Sequence, residues 1–218
     1  MKGSDALKAA AALGIQVSGT DSYKHAAPEL TWALIMAATR NLVQEANALR
    51  AGKWQQSLGG DLHGKTLAIL GLGSIGQRVA QFGQVFGMRV IAWSENLTAE
   101  RAEQAGVTHV SKQQLFEQAD VLSVHLVLSE RSRGLVDAQA LGWMKPTALL
   151  VNTARGPIVD EAALIKALPI CVTAPRPIAE AIENNAIPVA VAALRLSSSS
   201  DCGMRALWNR ASSASGNP

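Results

Sequence analysis

Four short segments of this 218-residue chain hold residues whose types and spacing can do chemistry. The first, Gly71-Leu72-Gly73-Ser74-Ile75-Gly76, directly follows the apolar stretch Thr66 to Leu70 and opens a helical pattern. A turn of this kind suits a dinucleotide. Its first glycine permits the tight bend, its second lets the main chain approach a pyrophosphate, and its third lets helix and strand pack closely. The phosphates then rest on free N–H groups at the positive end of the helix. Three glycines alone are equally compatible with a purely structural turn; the strand before them and the helix after them favour the cofactor reading. The second segment, Trp93-Ser94-Glu95-Asn96, ends the next strand, where a carboxylate would accept the ribose hydroxyls of NAD. Ser94 stands at that place, with Glu95 beside it and no arginine immediately behind it to grip a 2′-phosphate. NAD is expected, and NADP is permitted rather than indicated. The third and fourth segments are His125-Leu126-Val127-Leu128-Ser129 and Asn152-Thr153-Ala154-Arg155-Gly156-Pro157-Ile158-Val159-Asp160. Each follows an apolar strand pattern.

These segments need a scaffold that brings them to one edge. Strands are predicted over Thr66–Leu70, Arg89–Trp93, Val107–Val110, Val121–Val124 and Ala148–Val151. Helices are predicted between them over Ser74–Phe86, Thr98–Ala105, Ser111–Glu117 and Asp137–Trp143, with Glu161–Leu168 after the last strand. Short apolar strands alternating with amphipathic helices imply an α/β fold with a doubly wound parallel sheet, a Rossmann-like NAD(P)-binding domain. In such a sheet ligands bind beyond the carboxyl ends of the strands, where all four segments lie. Upstream, Asp5–Leu13 reads as a short helix followed by a brief strand, Ile15–Val17, and Pro28–Arg50 reads as one long helix. The first half of that helix is apolar on nearly every face and requires cover on more than one side. Beyond Leu168 the chain turns rich in proline, alanine and serine. Ile178–Asn184 could form a helix and Ile187–Leu196 an apolar strand, but no turn chemistry ties either to the sheet, so this tail is expected to be mostly poorly ordered.

Composition narrows the function classes. With 48% hydrophobic and 17% charged residues the chain is globular. Its formal net charge is +3, yet the basic residues are scattered without a run, which argues against nucleic acid. The longest apolar run, Trp32–Ala38, is too short to cross a bilayer, and the amino terminus shows no secretory pattern. Cys171 and Cys202 have no metal-ligand spacing and read as free thiols in a reducing cytoplasm, and no metal site is expected.

The glycine turn, the histidine-leucine loop and Asn152-Thr153-Ala154-Arg155-Gly156 followed by Val159-Asp160-Glu161 together resemble the D-isomer-specific 2-hydroxyacid dehydrogenases. That is the family of phosphoglycerate and formate dehydrogenases. The resemblance runs from about Leu7 to Leu168, with Ala27-Pro28-Glu29-Leu30-Thr31 and Arg40-Asn41 similar to the family's interdomain helix. It implies a domain division into 1–21, a remnant of a substrate-binding domain, 22–54, the interdomain helix, 55–168, the dinucleotide-binding domain, and 169–218, a divergent tail. It also implies an oxidoreductase that moves hydride between NAD(P) and the CH–OH group of a small D-2-hydroxy acid, built as a homodimer across the long helix. Arg155 matches the family's substrate-binding arginine; its planar fork can hold a carboxylate bidentately and polarise the neighbouring oxygen. The competing role for Arg155 is a helix-capping partner of Asp160. Gly71, Gly73, Ser74, Ile75, Gly76, Ser94, Leu126, Val127, Thr153 and Ala154 match positions lining the cofactor, and His125 reads as structural or cofactor-lining rather than as an acid. The family's proton donor is a histidine held by a glutamate, both placed after the arginine. Here His25, His63, His109 and His125 all precede Arg155, and none of Glu161, Glu180 and Glu183 stands before a proline. The alternative is therefore a non-catalytic NAD(P)-binding or dimerising remnant; the tail after Leu168 reads as a shifted frame, a rearrangement or a true variant.

Overall fold

The computed structural model describes residues 3–17, 24–168 and 192–195. Cys171, Cys202 and the helix expected over Ile178–Asn184 lie outside them. The helices are α1 (Gly3–Ala12), α2 (Ala26–Thr39), α3 (Leu42–Arg50), α4 (Ser74–Val85), α5 (Ala99–Gln104), α6 (Lys112–Gln118), α7 (Ala138–Trp143) and α8 (Glu161–Ala167). The strands are β1 (Thr66–Leu70), β2 (Arg89–Trp93), β3 (Thr108–His109), β4 (Val121–Val124), β5 (Leu149–Asn152) and β6 (Ala192–Arg195). Among the described residues no helix is long and apolar enough to cross a membrane.

The strands form one sheet in the order β3-β2-β1-β4-β5-β6. From β1 the chain steps outward to β2 and β3, then returns to the other side of β1 to lay down β4 and β5, all parallel. This is the doubly wound architecture, and its switch point lies between β1 and β4. Helix starts follow local capping chemistry. Thr98, Ser111, Asp137 and Asp160 each accept a backbone N–H three residues on, opening α5, α6, α7 and α8. Ser111 and Gln114 cap each other reciprocally.

Side chains alternate between the faces of the strands, and two cores result. On one face Leu67, Ile69, Val90, Ala92, Val121, Leu149 and Val151 pack under α4, α5 and α2. On the other, Ala68, Leu70, Ile91, Leu122, Val124 and Leu150 pack under α6, α7 and α8, with Phe116 fully buried.

Three sequence expectations need correction. The helix over Pro28–Arg50 is two helices, because Asn41 adopts a left-handed φ of 57° between α2 and α3. Asparagine tolerates that conformation better than most residues. Its side-chain amide stabilises the break by donating to Ser57 Oγ at 2.8 Å and to the Leu58 carbonyl at 3.2 Å. The brief strand Ile15–Val17 is irregular instead, since its three residues are exposed and no neighbour pairs with them. Finally, the apolar segment near Ile187–Leu196 does reach the sheet: β6 runs antiparallel along β5, with Leu150 opposite Leu194 and Val151 opposite Ala193. The free edge of β5 offers unpaired N–H and C=O groups to any apolar strand that can reach it.

α2 is held to the first face by aromatic packing. Trp32 stacks at 4.8 Å on Phe86, meets Phe82 edge-on at 6.4 Å and donates its indole N–H to the Val79 carbonyl at 3.2 Å. The cover expected for this apolar helix is thus supplied by α4 and β5 on one side. α3, by contrast, buries no residue, and Leu42, Val43 and Leu49 remain exposed.

At the opposite, amino-terminal edge of the sheet, Asp120 accepts the Thr66 N–H at 2.8 Å and the Lys145 ammonium at 2.9 Å, tying β1 and β4 to the approach to β5. Partial burial raises its pKa, but the Thr66 hydrogen bond and Lys145 outweigh that effect and hold the carboxyl below its ordinary value. A group whose folded pKa is depressed contributes stability above its unfolded pKa and loses it as pH falls through the folded value. Asp120→Asn is therefore expected to lower the urea-unfolding free energy by about 0.5–1 kcal/mol at pH 7. That difference should close as the pH drops below about 4, the ordinary aspartate range. A gap that stays constant down to pH 2 would remove the charge from the explanation.

Candidate cofactor and substrate site

The parallel register puts the carboxyl ends of β1, β2, β4 and β5 on one edge, so Gly71–Gly76, Ser94, His125–Ser129 and Thr153–Arg155 gather there. Gly71 sits at the switch point. Its N–H donates to the Trp93 carbonyl at 2.9 Å, and the His125 N–H donates to the Leu70 carbonyl at 2.8 Å.

The three glycines of the turn have different reasons to be glycine. Gly71 has φ +104°, and a Cβ there would stand 2.8 Å from the His125 carbonyl oxygen. Gly76 has no room either: a Cβ would come within 2.2 Å of the Gly71 carbonyl oxygen. Both are demanded by packing. Gly73 is not, because its φ of −83° is ordinary and a Cβ would meet nothing within 4 Å. The open space over Gly73 lies directly before α4. That helix has no side-chain cap, unlike α5 to α8, and no acidic residue in its first turn. Its first N–H groups and its positive dipole end face outward with no negative side chain beside them. The cradle fits a pyrophosphate.

Around it stand the other candidates. Ser94 is half-buried at the end of β2, and Glu95 is exposed next to it. Leu126 is half-buried, its Cδ2 lying 2.9 Å from where a Gly71 Cβ would be, whereas Val127 is 85% exposed. The loop carrying both is braced by a residue that motif reading missed: buried Ser132 donates to the Val127 carbonyl at 2.7 Å and accepts the Ser129 N–H at 2.8 Å. Two serines three residues apart just after a strand are the only signal for it in the sequence.

The turn after β5 is held from inside. Asn152, 4% exposed, donates to the Arg155 carbonyl and accepts the Ala154 N–H, both at 3.0 Å. Arg155 itself is exposed and donates to the Ala154 carbonyl at 2.8 Å. The competing role for this arginine, a partnership with Asp160, is absent among the described residues. Asp160 instead caps α8 through the Ala163 N–H at 3.0 Å. The guanidinium is left facing solvent at the ligand-binding edge.

His125 is half-buried at that edge. Its ring Nε2 pairs with the hydroxyl of fully buried Ser123 at 2.8 Å. Burial pushes its pKa down to about 4. A neutral imidazole tied to a buried serine serves structure, not proton delivery near neutral pH.

Comparison with known proteins agrees with this geometry. Residues 32–170 match the model of the family described as D-isomer specific 2-hydroxyacid dehydrogenase, NAD binding domain. The chain belongs to this family. It is 43% identical over 172 residues to a glyoxylate reductase of Aeropyrum pernix, covering 74% of this chain and 51% of that protein. A phosphoglycerate oxidoreductase of Vibrio cholerae superposes with a TM-score of 0.68 at 43% identity, covering 72% of this chain and 51% of that one. D-lactate dehydrogenase of Aquifex aeolicus, solved with NAD and lactic acid, superposes with a TM-score of 0.66 at 28% identity, covering 74% and 49%. The chain thus spans about half the length of these relatives. NAD is the cofactor of the matched domain.

The His125 environment gives a measurable outcome. Since its folded pKa is depressed, the native state takes up its proton only near pH 4, while the unfolded chain does so near 6.5. Stability should therefore fall as pH drops from about 6.5 towards 4, where the unfolded state binds more protons. NMR of the imidazole Cε1–H should show no titration between pH 5.5 and 8; an inflection near 6.5 would mean the ring is hydrated.

Proposed function

We propose that this chain is the NAD-binding portion of an oxidoreductase acting on the CH–OH group of a small D-2-hydroxy acid or, in reverse, on a 2-oxo acid. The observation that carries this reading is the open space over Gly73 in front of the uncapped α4, beside a turn whose other two glycines are explained by packing. In this reading Gly71, Gly73, Ser74, Ile75 and Gly76 hold the pyrophosphate, Ser94 meets the ribose, and Leu126, Val127, Thr153 and Ala154 line the dinucleotide. Bound NADH supplies the hydride. Arg155 binds the substrate carboxylate and draws charge from the adjacent carbonyl, a task its exposed guanidinium suits. Arginine gives up no proton near neutral pH, so the proton must come from another group.

The same reading divides the chain into 1–21, 22–54, 55–168 and 169–218, although α2 packs on the dinucleotide-binding part. It also makes the protein a cytoplasmic homodimer. Supporting the dimer are exposed Leu42, Val43 and Leu49 on α3, with Trp54 and Leu58 beyond it, more apolar surface than a lone arm needs. Sedimentation at micromolar concentration should give a dimer, and a compact monomer would reject it.

NADH fluorescence titration followed by a glyoxylate-dependent oxidation assay tests the function. Gly73→Asp should keep the melting temperature, because no neighbour lies within 4 Å, yet weaken NADH binding at least about tenfold by placing a carboxylate against the phosphates. Arg155→Ala should leave NADH binding alone and cost about 1.5–3 kcal/mol of carboxylate binding, raising KM for glyoxylate roughly ten- to a hundredfold. Unchanged binding in the first variant, or unchanged turnover in the second, would overturn the assignment.

A further inference from the structure

Thr31 is the polar exception on the buried face of α2. It is fully buried, amid Trp32, Leu34, Ile35 and Ala38. Its hydroxyl donates to the Ala27 carbonyl one turn back at 2.8 Å and lies 2.7 Å from the hydroxyl of Thr153, 122 residues away. A threonine hydroxyl carries one proton. With that proton on Ala27, the Thr31 oxygen can only accept, so Thr153 must donate to it. The direction of the second bond, which distance alone leaves open, follows from the first.

The consequence concerns the turn that bears Arg155. Asn152 grips this turn from within β5, through the Ala154 N–H and the Arg155 carbonyl. The Thr31–Thr153 bond grips it from the neighbouring helix. Two buried side chains from different elements therefore clamp Thr153 and Ala154, and the exposed guanidinium projects from the clamped end.

We infer that Thr31 is a positioning residue: α2 sets the place of the arginine-bearing turn through the Thr31–Thr153 hydrogen bond. This rests on the proposed role of Arg155 for its functional meaning, and on the geometry alone for its structural one. Valine at position 31 would keep the shape and remove the acceptor, leaving the hydroxyl of half-buried Thr153 facing a methyl group. The Thr153 hydroxyl then turns from α2 to another partner or to water, and the turn loses its tie to the helix.

Amide exchange followed by NMR tests it on the whole chain. Thr31→Val should speed exchange of the Ala154, Ile158 and Val159 N–H groups at least about fivefold and leave the β1 amides of Leu67–Leu70 unchanged. Thr31→Ser should restore the original rates. Thr153→Val, which removes the donor end, should reproduce the loosening and add nothing further to Thr31→Val, and it stands as the test should Thr31→Val fail to fold. Unchanged exchange around Ala154, or acceleration spreading equally to β1, would overturn the inference, the second by showing a role in stability alone. In turnover, Thr31→Val should raise the glyoxylate KM about tenfold with the NADH dissociation constant within twofold. If the unaltered chain oxidises no NADH, the functional reading fails on its own, and the exchange pattern still decides whether α2 positions the turn.

Discussion

The structure depends on one close approach. The Gly71 carbonyl lies so near Gly76 that a single methyl group between them would stand 2.2 Å from the oxygen. That approach lets α4 start immediately behind β1 and lean on the sheet. Were it longer, the helix axis would tilt away and its N-terminus would no longer open onto the switch point. Gly71 is wedged in turn between the ends of β2 and β4, bonded to Trp93 and abutting the His125 carbonyl. The anion cradle is thus a by-product of strand-to-helix packing. Only the vacancy over Gly73 is surplus to that packing, and a surplus vacancy before a bare helix terminus is what a phosphate can use.

The other elements at this edge are fixed by buried polar side chains in addition to the apolar contacts of Leu126, Leu128 and Ala154. Ser132 sets the loop after β4, Asn152 sets the turn after β5, and Ser123 holds the His125 ring. Buried hydroxyls and amides are costly unless paired, so each one dictates a single arrangement of the backbone it touches. Apolar packing in the two cores would tolerate small shifts of those loops; the hydrogen bonds would not. The amino-terminal edge uses the same device once, through Asp120, where it serves the joining of strands.

α2 adds a further layer to the dinucleotide-binding fold. It occupies the first face beside α4 and over β5, closing a position that the alternating units leave uncovered. Its aromatic contact with α4 and its threonine contact with the arginine turn come from the consecutive residues Trp32 and Thr31. Motion of α2 relative to the sheet would disturb both at once. α3 and the segment after it leave this body at Asn41, whose left-handed backbone is held by Ser57 and Leu58. Leu42, Leu49, Trp54 and Leu58 are exposed there.

Sequence alone determined whatever is settled within a few residues. Thr98, Ser111, Asp137 and Asp160 announced helix starts to within one residue because a cap acts on an N–H three positions away. The glycine turn was legible for the same reason, as was the parallel sheet, whose short apolar strands alternate with helices. The tertiary structure decided everything that needs a distant partner. The left-handed break at Asn41 depends on Ser57 and Leu58, and the docking of β6 on β5 depends on an open edge that no local pattern reports. The bond between Thr31 and Thr153 spans 122 residues, and nothing near either threonine encodes the other. Which glycine makes room for a ligand, rather than for its own backbone, was likewise invisible until the neighbours were in place, because the same three letters spell both needs.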